Sequence, residues 1–485
     1  MKGTGVFRYY YRSQQPPNEP PGHQWLSEKD LFAAESRIER VVSSVGGQVP
    51  VWAQDLLRVA RAVYLADKRS LREWTPDRWT RRITLDVQLV EPERWDESAL
   101  DVLTKLLTAL TSDMWDISVS RGAIPDIFTP PLVGGWSADE IMLFSGGIDS
   151  TAYLAEAVTR DDGPLLLISY YEQKIKSCID DIYEATRRNG ARRTEYHPIS
   201  ARVRDWQKTR LEPSSRSRGL LFMATAVYAA AAHRAVTVTA PENGQLAINP
   251  AITESRLGAC SSRSVHPYVL DLLNTLIRRL GGEVRVSNPY TDLTKGEVCE
   301  RARDAGLDRE VIWRTVSCSS PPIMRRNGGY HCGYCFPCLV RRSGLLAAFG
   351  EDRTGYDVEF WNTTRSAKKD AHALRRWLAR PFRTTDLIAD MPLPAGLTAS
   401  SLMPVLRRGR RELIDMFQRL VPADSDFLQN WRPADAHRRD AHGPVTTRSA
   451  QPVPKPRQPL RDEYRPAVPR PRQAWSGEST QPRTL

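Results

Sequence analysis

Ile141-Met-Leu-Phe-Ser145-Gly146-Gly147-Ile148-Asp149-Ser150-Thr151 joins a short apolar strand to the start of a helix. Two glycines in a row let backbone N–H groups approach an anion without a Cβ in the way. The helix N-terminus adds unpaired donors and a partial positive charge. The stretch therefore predicts a loop that cradles phosphate groups, built from Leu143, Phe144, Ser145, Gly146, Gly147, Ile148, Asp149, Ser150 and Thr151.

Three side chains of this loop are also candidates for the chemistry. Ser145 and Ser150 offer hydroxyls to a phosphate, and Asp149 can cap the helix or hold Mg²⁺. The spacing differs from Gly-x-x-x-x-Gly-Lys-Ser/Thr and from Gly-x-Gly-x-x-Gly, which disfavours a Walker-type enzyme and a nicotinamide or flavin enzyme. A glycine turn with a purely structural use is the alternative interpretation.

Strand-like apolar runs and helical stretches alternate outward from this loop. The runs lie at residues 141–144, 165–170, 194–199, 236–240 and 284–286, and the helical stretches at about 149–160, 175–189, 217–233 and 264–280. Alternation at this spacing predicts an α/β fold with a parallel sheet covered on both faces. Ligands of such sheets bind beyond the carboxyl ends of the strands, which is where the loop lies.

Four cysteines further along the chain predict a metal site. Cys318 is separated by 13 residues from Cys332-Gly-Tyr-Cys335-Phe-Pro-Cys338. The Cys-x2-Cys-x2-Cys spacing brings three thiolates together, and Cys318 can complete a tetrahedron, which suits Zn²⁺ in a closed structural site. An iron–sulfur cluster on the same thiolates is the chemical alternative. His331 is expected to cap or pack nearby, or else to replace one ligand.

Composition divides the rest of the chain. We expect a flexible N-terminus over residues 1–23 and an α+β accessory domain over residues 24–136, where helical and alternating patterns follow each other. Residues 137–350 form the domain that contains the loop and the cysteines, and residues 351–431 an Arg-rich helical region. Residues 432–485 contain ten of the 35 prolines and predict a disordered basic tail.

Charge and hydropathy limit the partners. The 485 residues carry a net charge of +12, of which the tail holds +6. This balance favours an anionic partner, and the tail is either a solubilising extension or an arm for RNA or a protein. The longest uncharged apolar run has 13 residues, fewer than the roughly 20 that span a bilayer, and the start does not resemble a secretory signal. We expect a cytoplasmic protein with reduced cysteines and no membrane partner.

The two motifs together resemble those of known enzymes. Ser-Gly-Gly-x-Asp-Ser resembles the PP-loop of the N-type ATP pyrophosphatases, which split ATP between its α and β phosphates to adenylate a substrate. Followed by the cysteine pattern, it resembles the QueC family, the 7-cyano-7-deazaguanine synthases, over roughly residues 139–350. Arg218 in Arg-Gly-Leu-Leu-Phe and Lys295 in Thr-Lys-Gly-Glu match further segments of that family, and they are the cationic candidates for catalysis.

The resemblance implies an ATP-dependent C–N ligase. QueC enzymes adenylate the carboxylate of 7-carboxy-7-deazaguanine, ammonia then attacks, and a second activation dehydrates the amide to a nitrile. The implied cofactors are ATP, Mg²⁺ and Zn²⁺, the implied substrate is this small molecule, and the implied assembly is a homodimer.

The segment after residue 240 departs from QueC, whose members are shorter and carry Tyr-Pro-Asp-Cys-Arg. Here Pro241-Glu242-Asn243-Gly244 is followed by Asn249, Arg256 and His266, which resembles the QatC group of bacterial anti-phage (Qat) operons. That resemblance implies a deazaguanine-type acid whose acceptor is ammonia or an amine on a partner protein from the same operon. The expected substrate-binding residues are Glu242, Asn243, Asn249, Arg256 and His266. A capped turn at Glu242-Asn243-Gly244 and a helix-capping His266 are the alternatives to base reading and proton transfer.

Two further hypotheses fit parts of the sequence. A PP-loop enzyme that thiolates tRNA would use the basic tail and the Arg-rich helices, but such enzymes rely on catalytic cysteines or an iron–sulfur cluster. The other hypothesis is a non-catalytic nucleotide-binding scaffold of a defence complex. Nucleic-acid binding is thus compatible with the sequence but not required by it.

Overall fold

The computed structural model describes residues 5–14, 21–27, 48–127, 135–171, 175–200, 203, 210–253, 263–319, 330–362 and 369–434. The predicted basic tail lies outside the described residues, apart from positions 432–434. Within the described ranges the chain forms two parallel sheets, the helices that cover them, and a C-terminal helical region. No helix of these ranges is both long enough and apolar enough to cross a membrane.

A four-stranded N-terminal sheet has the order β2-β1-β3-β4, and all its pairs are parallel. In chain order its elements are β1 (Val6–Arg12), β2 (Gln24–Ser27), α1 (Val51–Arg69), β3 (Arg82–Leu89), α2 (Glu97–Thr111) and β4 (Met114–Arg121). Alternate residues of β3 are buried, as its period of two predicts, since one face of the strand packs against the helices. The pairing gives this region an α/β arrangement rather than the α+β arrangement that was expected.

Strand β1 differs from the prediction of a flexible N-terminus over residues 1–23. It lies inside the sheet between β2 and β3, and Phe7, Tyr9 and Tyr11 are buried in the core. Aromatic side chains favour strands because they pack well on a pleated, half-buried surface. The aromatic run Val6-Phe-Arg-Tyr-Tyr-Tyr-Arg12 is therefore typical of a strand and not of a flexible terminus.

The larger sheet has five strands in the order β7-β6-β5-β8-β9, again all parallel. Its strands are β5 (Glu140–Leu143), β6 (Leu165–Tyr171), β7 (Thr194–Ser200), β8 (Thr237–Thr239) and β9 (Arg285–Ser287), with the intervening helices α3 (Ile148–Val158), α4 (Lys176–Arg187), α5 (Arg218–His233), α6 (Gly244–Ile248) and α7 (Pro267–Arg279). The predicted alternation of strands and helices is confirmed.

The order of this sheet reverses direction at β5. The chain runs from β5 through β6 to β7 at one edge, and then returns to β8 and β9 on the other side of β5. Connections that leave a parallel sheet in opposite directions open a crevice at the carboxyl ends of the two central strands. The loop after β5 and residues 240–243 after β8 meet at this crevice.

Six further α-helices follow β9 in the described residues. They are α8 (Lys295–Asp304), α9 (Arg309–Arg314), α10 (Phe336–Phe349), α11 (Lys369–Leu378), α12 (Thr384–Asp390) and α13 (Ala399–Leu420). Helix α13 contacts α6, α8 and α10. Arg410 of α13 is buried and donates to the carbonyls of Trp377, Leu378 and Arg380 at the end of α11. The Arg-rich face is thus partly a packing face rather than a solvated one.

The N-terminal helices share one hydrophobic core with the larger sheet. Helix α1 packs against α5, and α2 packs against α7. Buried residues of both regions, among them Val63, Leu106, Ala226 and Leu273, belong to the same cluster. The N-terminal region is therefore built onto the helices that flank the crevice.

Candidate active site and metal centre

The glycine loop turns tightly between β5 and α3. Gly146 has a φ of +70°, and a Cβ at this position would lie 2.8 Å from Cγ1 of Ile179. A Cβ on Gly147 would lie 3.2 Å from the carbonyl oxygen of Val316. The first position needs glycine because L-residues rarely adopt this φ. The second is held close to the backbone of the segment that leads to the cysteines.

Hydroxyl groups cluster inside the loop. Ser150 Oγ accepts a hydrogen bond from the Ser145 backbone N–H at 3.2 Å and lies 3.2 Å from Ser145 Oγ. The Gly147 N–H donates to Ser145 Oγ at 3.3 Å. The hydroxyls of Thr151 and Ser317 are buried without a hydrogen-bond partner among the described residues, and Ser317 Oγ lies 3.8 Å from the position a Cβ on Gly147 would take. Such unpaired donors beside a helix N-terminus fit a phosphate group.

Asp149 of the loop is held by a buried ion pair. Lys295 Nζ lies 2.7 Å from both carboxylate oxygens of Asp149, and Asn243 Nδ2 donates to Asp149 Oδ2 at 3.0 Å. Lys295 and Asn243 are both at most 1 % exposed. The structure thus brings together three of the predicted site residues. Asp149 comes from the loop that leads from β5 into α3, Asn243 from the turn between β8 and α6, and Lys295 from the start of α8.

A capping box explains how Lys295 reaches this place. Thr294 accepts from the Glu297 N–H and donates its own N–H to the Glu297 carboxylate, so α8 begins at Lys295. Glu412 of α13 accepts from the Thr294 hydroxyl and from the Gly296 N–H. Burial raises the pKa of Glu412 to about 7. The sequence gives no signal for Glu412, which comes from the C-terminal region and lies 118 residues from Thr294.

A cavity of about 280 Å³ lies between the loop and α5. Ser145 and Ser150 line it from the loop, and Arg218 lines it from the first turn of α5. Tyr170 and Phe222 stack on each other in its wall, with ring centroids 4.0 Å apart and an angle of 8° between the rings. This aromatic wall was not predicted, although Tyr170 lies near the carboxyl end of β6, where ligand contacts are expected.

Glu242 is the acidic side chain of this cavity. Two hydrogen bonds fix its backbone to Asn288, which follows β9. Burial raises the pKa of Glu242 to about 8, the charge of Asp149 adds to this increase, and Lys295 opposes it. Within the described ranges its carboxyl group makes no hydrogen bond, so it is available to a ligand.

Asn243, Asn249 and His266 are not among the described residues that line the cavity. Asn243 caps α6 through its side chain while it holds Asp149, which favours the capped-turn interpretation. Asn249 ends α6 with a φ of +43°, and its carbonyl accepts from Arg263 at 3.1 Å. Arg256 lies outside the described residues.

His266 caps a helix. Its Nδ1 accepts from the Tyr268 N–H at 3.1 Å at the start of α7. Burial, with Arg263 nearby, lowers the pKa of His266 to about 3. A histidine is poorly suited to carry protons when it stays neutral at ordinary pH and when one of its nitrogens already accepts a capping hydrogen bond. The capping interpretation is therefore favoured.

The four predicted cysteines converge. The Sγ atoms of Cys318, Cys332, Cys335 and Cys338 all lie within 4.8 Å of one another. Two of the Sγ–Sγ separations, Cys318 to Cys335 and Cys332 to Cys338, are 3.8 and 3.9 Å. The edge of a tetrahedron with Zn–S bonds of about 2.3 Å is about 3.8 Å, so the donor set fits Zn²⁺. An iron–sulfur cluster would hold some or all of the thiolates further apart, because they would bind two or four different iron atoms.

His331 supports the metal centre from outside. Its Nε2 accepts from the Ser317 N–H at 3.3 Å, and its ring packs against Tyr356. Gly333 has a φ of +88°, and a Cβ there would lie 2.1 Å from the Val358 carbonyl oxygen. The expectation that His331 caps or packs nearby agrees with this geometry.

The metal centre and the phosphate loop are joined by residues 312–318. The Val316 N–H donates to the Gly146 carbonyl at 2.9 Å, two residues before Cys318. Arg341, which is fully buried, donates to the Thr315 hydroxyl at 2.7 Å and to the Ile312 and Trp313 carbonyls. The cysteine cluster therefore fastens a segment that lies directly on the loop.

Comparison with known proteins finds one family over the second half of this region. Residues 266–349 match the family model described as "Queuosine biosynthesis protein QueC". The chain is 23 % identical over 239 residues to the 7-cyano-7-deazaguanine synthase of Pyrococcus abyssi, covering 45 % of this chain and 97 % of that protein. It is 36 % identical over 73 residues to that of Syntrophobacter fumaroxidans and 34 % over 74 residues to that of Porphyromonas gingivalis.

The matches to the last two relatives span 15 % of this chain and only 28 % and 30 % of their lengths. The family-model match covers α7 to α10 and so includes Lys295, the 312–318 segment and the whole four-cysteine centre. These are the elements that hold the loop after β5 in place. The chain therefore has a QueC-like segment over residues 266–349, a parallel-sheet α/β fold and four cysteines placed so that they could hold a metal ion.

Proposed function

We propose that this protein uses ATP to activate the carboxylate of a 7-deazaguanine-type acid, 7-carboxy-7-deazaguanine, and then passes the acyl group to an amine. The observation that carries the proposal is the junction of the loop with the cavity. Ser145 and Ser150 of the loop line the same cavity as Arg218 and Glu242. A phosphate-binding loop that opens on a pocket of this size fits a reaction between ATP and a small molecule.

The loop end of the cavity suits the phosphates. Backbone donors at the start of α3, the Ser145 and Ser150 hydroxyls and the unpaired Ser317 hydroxyl would bind the pyrophosphate portion. Arg218 and Lys295 would offset the charge that develops there. Asp149 would hold the Mg²⁺ that accompanies ATP. Lys295 would then no longer pair with Asp149 and would bind a phosphate oxygen instead.

The rest of the cavity lining suits a flat heterocycle. The stacked Tyr170 and Phe222 offer an apolar wall, and Glu242 offers hydrogen bonds to a purine-like edge. Its raised pKa lets the carboxyl group donate as well as accept near neutral pH.

Formation of the amide needs only the acid, one ATP and the amine. A carboxylate oxygen of the acid attacks the α-phosphorus, and pyrophosphate leaves with the electron pair of the α–β bridge. An amine then attacks the acyl carbon, AMP leaves, and the amine loses a proton as the amide forms. To form a nitrile, the oxygen of the primary amide would attack the α-phosphorus of a second ATP and release pyrophosphate. AMP would then leave with that oxygen while the nitrogen loses its two protons.

The acceptor distinguishes two versions of this function. Ammonia leads to the nitrile, whereas an amine of a partner protein ends at an amide. The Pro241–Asn243 segment differs from QueC at the cavity and resembles the Qat anti-phage group, which supports the amide version, a protein partner and a role in defence. A homodimer likewise stays a prediction from the QueC resemblance.

The tRNA-thiolation hypothesis gains no support from the cavity. Among the cysteines in the described ranges, Cys178 and Cys299 lie outside the four-cysteine centre, and neither lines the cavity. Cys299 is fully buried in α8. A thiolating enzyme would need a sulfur carrier at the loop.

The test is incubation of the purified protein with ATP, Mg²⁺ and 7-carboxy-7-deazaguanine, with either ammonium or the neighbouring gene products as acceptor. Mass spectrometry should detect AMP, pyrophosphate and either the nitrile or an acylated protein. Absence of AMP formation with all of these acceptors, from a zinc-replete protein, would contradict the proposal.

A further inference from the structure

Residues 212–218 connect the N-terminal region to the cavity. This segment precedes α5 and supplies two residues of the cavity wall, Ser215 and Arg218. Arg218 is exposed at the first helical position, so the direction of its side chain depends on how the start of α5 is held.

Asp67 of α1 holds the start of α5. Its Oδ2 accepts from the Ser217 N–H at 3.1 Å and from the Ser217 hydroxyl at 2.6 Å. Both residues are completely buried. The Ser217 side chain does not cap its own helix. Instead, the carboxylate of Asp67, in the N-terminal region, accepts a hydrogen bond from the N–H at the start of the helix. A carboxylate at a helix N-terminus also interacts favourably with the helix dipole.

A buried ion network fixes Asp67 in turn. Arg81, which is fully buried, donates to Asp67 Oδ1 at 2.6 Å and to Asp113 Oδ2 at 2.5 Å. Arg72 forms a bidentate pair with Asp113, at 2.9 and 2.7 Å. A carboxylate whose two oxygens are both engaged by buried partners has little freedom to turn.

Further contacts reach the same segment from the N-terminal region. Lys68 Nζ donates to the carbonyl of Ser214 at 3.1 Å and to the hydroxyl of Ser215 at 3.3 Å. The Arg72 N–H donates to Glu212 Oε2 at 2.9 Å. The segment is therefore tied at successive positions to α1 and to the residues that follow it.

We infer that the N-terminal region positions the cavity wall for the reaction, with Asp67 as a positioning residue that acts through Ser217 on Arg218. This inference rests on the proposed function for the role of Arg218. It gives residues 51–113 a task within the active site.

Asp55 offers a matched control. It lies on the same helix, is also 0 % exposed, and accepts two backbone hydrogen bonds, both at 2.9 Å. Its donors are the Val90 and Glu91 N–H groups, within the N-terminal region itself. Asp55→Asn and Asp67→Asn thus make the same chemical change, but of the two only Asp67→Asn alters a contact to Ser217, the residue before Arg218 of the cavity wall.

The experiment compares both variants by hydrogen–deuterium exchange and by steady-state pyrophosphate release. Asp67→Asn should speed amide exchange in residues 212–222 and lower kcat by about tenfold, since small misplacements of catalytic groups are costly. Asp55→Asn should leave both unchanged, although it lowers thermal stability. Ser217→Ala, which removes one of the two bonds to Asp67, should lower kcat by about threefold and serves if Asp67→Asn does not fold.

Equal exchange of residues 212–222 in the two aspartate variants, or equal kcat after correction for the folded fraction, would overturn the inference. The exchange measurement needs no turnover. An inactive wild type would therefore refute the proposed function, while exchange would still decide whether Asp67 holds the wall.

Discussion

Lys295 Nζ stands 2.7 Å from each carboxylate oxygen of Asp149, and the pair is almost wholly buried beside the glycine loop. The lysine comes from the first position of α8 and the aspartate from the first turn of α3, 146 residues apart. The loop and the QueC-like segment therefore meet at one ion pair.

Removing one member of this pair should be costly. We expect Lys295→Met to lower the free energy of unfolding by roughly 3–5 kcal/mol, because the Asp149 charge stays buried without its cation. Denaturant unfolding measures this. Lys105→Met, which breaks an exposed pair with Asp101, should lower the free energy of unfolding far less, because solvent screens an exposed pair.

Activity gives a second readout on the same pair. Lys295→Met should abolish pyrophosphate release, and adding Asp149→Asn should recover stability without recovering activity. An active double variant would contradict the assignment of both residues to the phosphate site.

Gly146 can be compared with another glycine of the same backbone geometry. Gly146 and Gly350 have φ values of +70° and +73°, but a Cβ on Gly350 would meet nothing within 4 Å. Gly350→Ala should cost about 1 kcal/mol, the price of an L-residue in this conformation, and leave activity intact. Gly146→Ala should cost more and reduce pyrophosphate release, because its Cβ pushes on Ile179. Equal effects of the two changes on activity would show that the loop can accommodate a Cβ at position 146, which would contradict this prediction.

The four-cysteine centre should hold one zinc ion per chain. Elemental analysis of the purified protein checks this, with Cys178→Ser as a control that should retain the metal. Cys335→Ser should lose zinc and stability, and pyrophosphate release should fall because Val316 holds Gly146. Iron with visible absorption in anaerobically purified protein would instead support the cluster alternative.

Glu242 should make stability depend on pH. The pKa of Glu242 is about 8 in the folded protein, against an ordinary value of 4.5. Between pH 4.5 and about 8, the carboxyl group is therefore protonated in the folded state and ionised in the unfolded state. The free energy of unfolding should therefore fall as the pH rises from about 5 to about 8. Glu242→Gln mimics the protonated form and should flatten this dependence, as thermal unfolding across the pH range would show. If stability depended on pH in the variant as it does in the wild type, a group other than Glu242 would be responsible for the dependence.

His266 should act as a helix cap and not as a proton carrier. His266→Asn supplies another capping side chain and should keep both stability and activity, whereas His266→Ala should cost about 1 kcal/mol. Thermal unfolding and pyrophosphate release measure the two properties. Loss of turnover in His266→Asn with unchanged stability would restore the proton-transfer hypothesis.

The sequence predicts well those features whose signal is local. Strands β5 and β6 at the centre of the larger sheet are mainly apolar runs, the loop is a contiguous motif, and three of the four thiolates lie within seven residues. Even Lys295 is marked by the Thr294–Glu297 capping box, a pattern that fixes where a helix begins.

Other features depend on contacts that no local pattern shows. Asn249 and His266 carry polar groups suited to ligands, but each is used at a helix end, and short-range sequence does not separate these two uses. Asp67 meets Ser217 across 150 positions and Glu412 meets Thr294 across 118. Only the packing of α1 against α5 and of α13 against α8 brings these groups together.

The central claim is that the acid becomes an acyl-adenylate on this loop, and an oxygen label tests it most directly. With ¹⁸O in both carboxylate oxygens of 7-carboxy-7-deazaguanine, each AMP that is formed should carry one ¹⁸O, since the bond between the acyl carbon and the bridging oxygen breaks as AMP leaves. Mass spectrometry of the AMP reads this out. Unlabelled AMP, or formation of ADP in its place, would contradict the account.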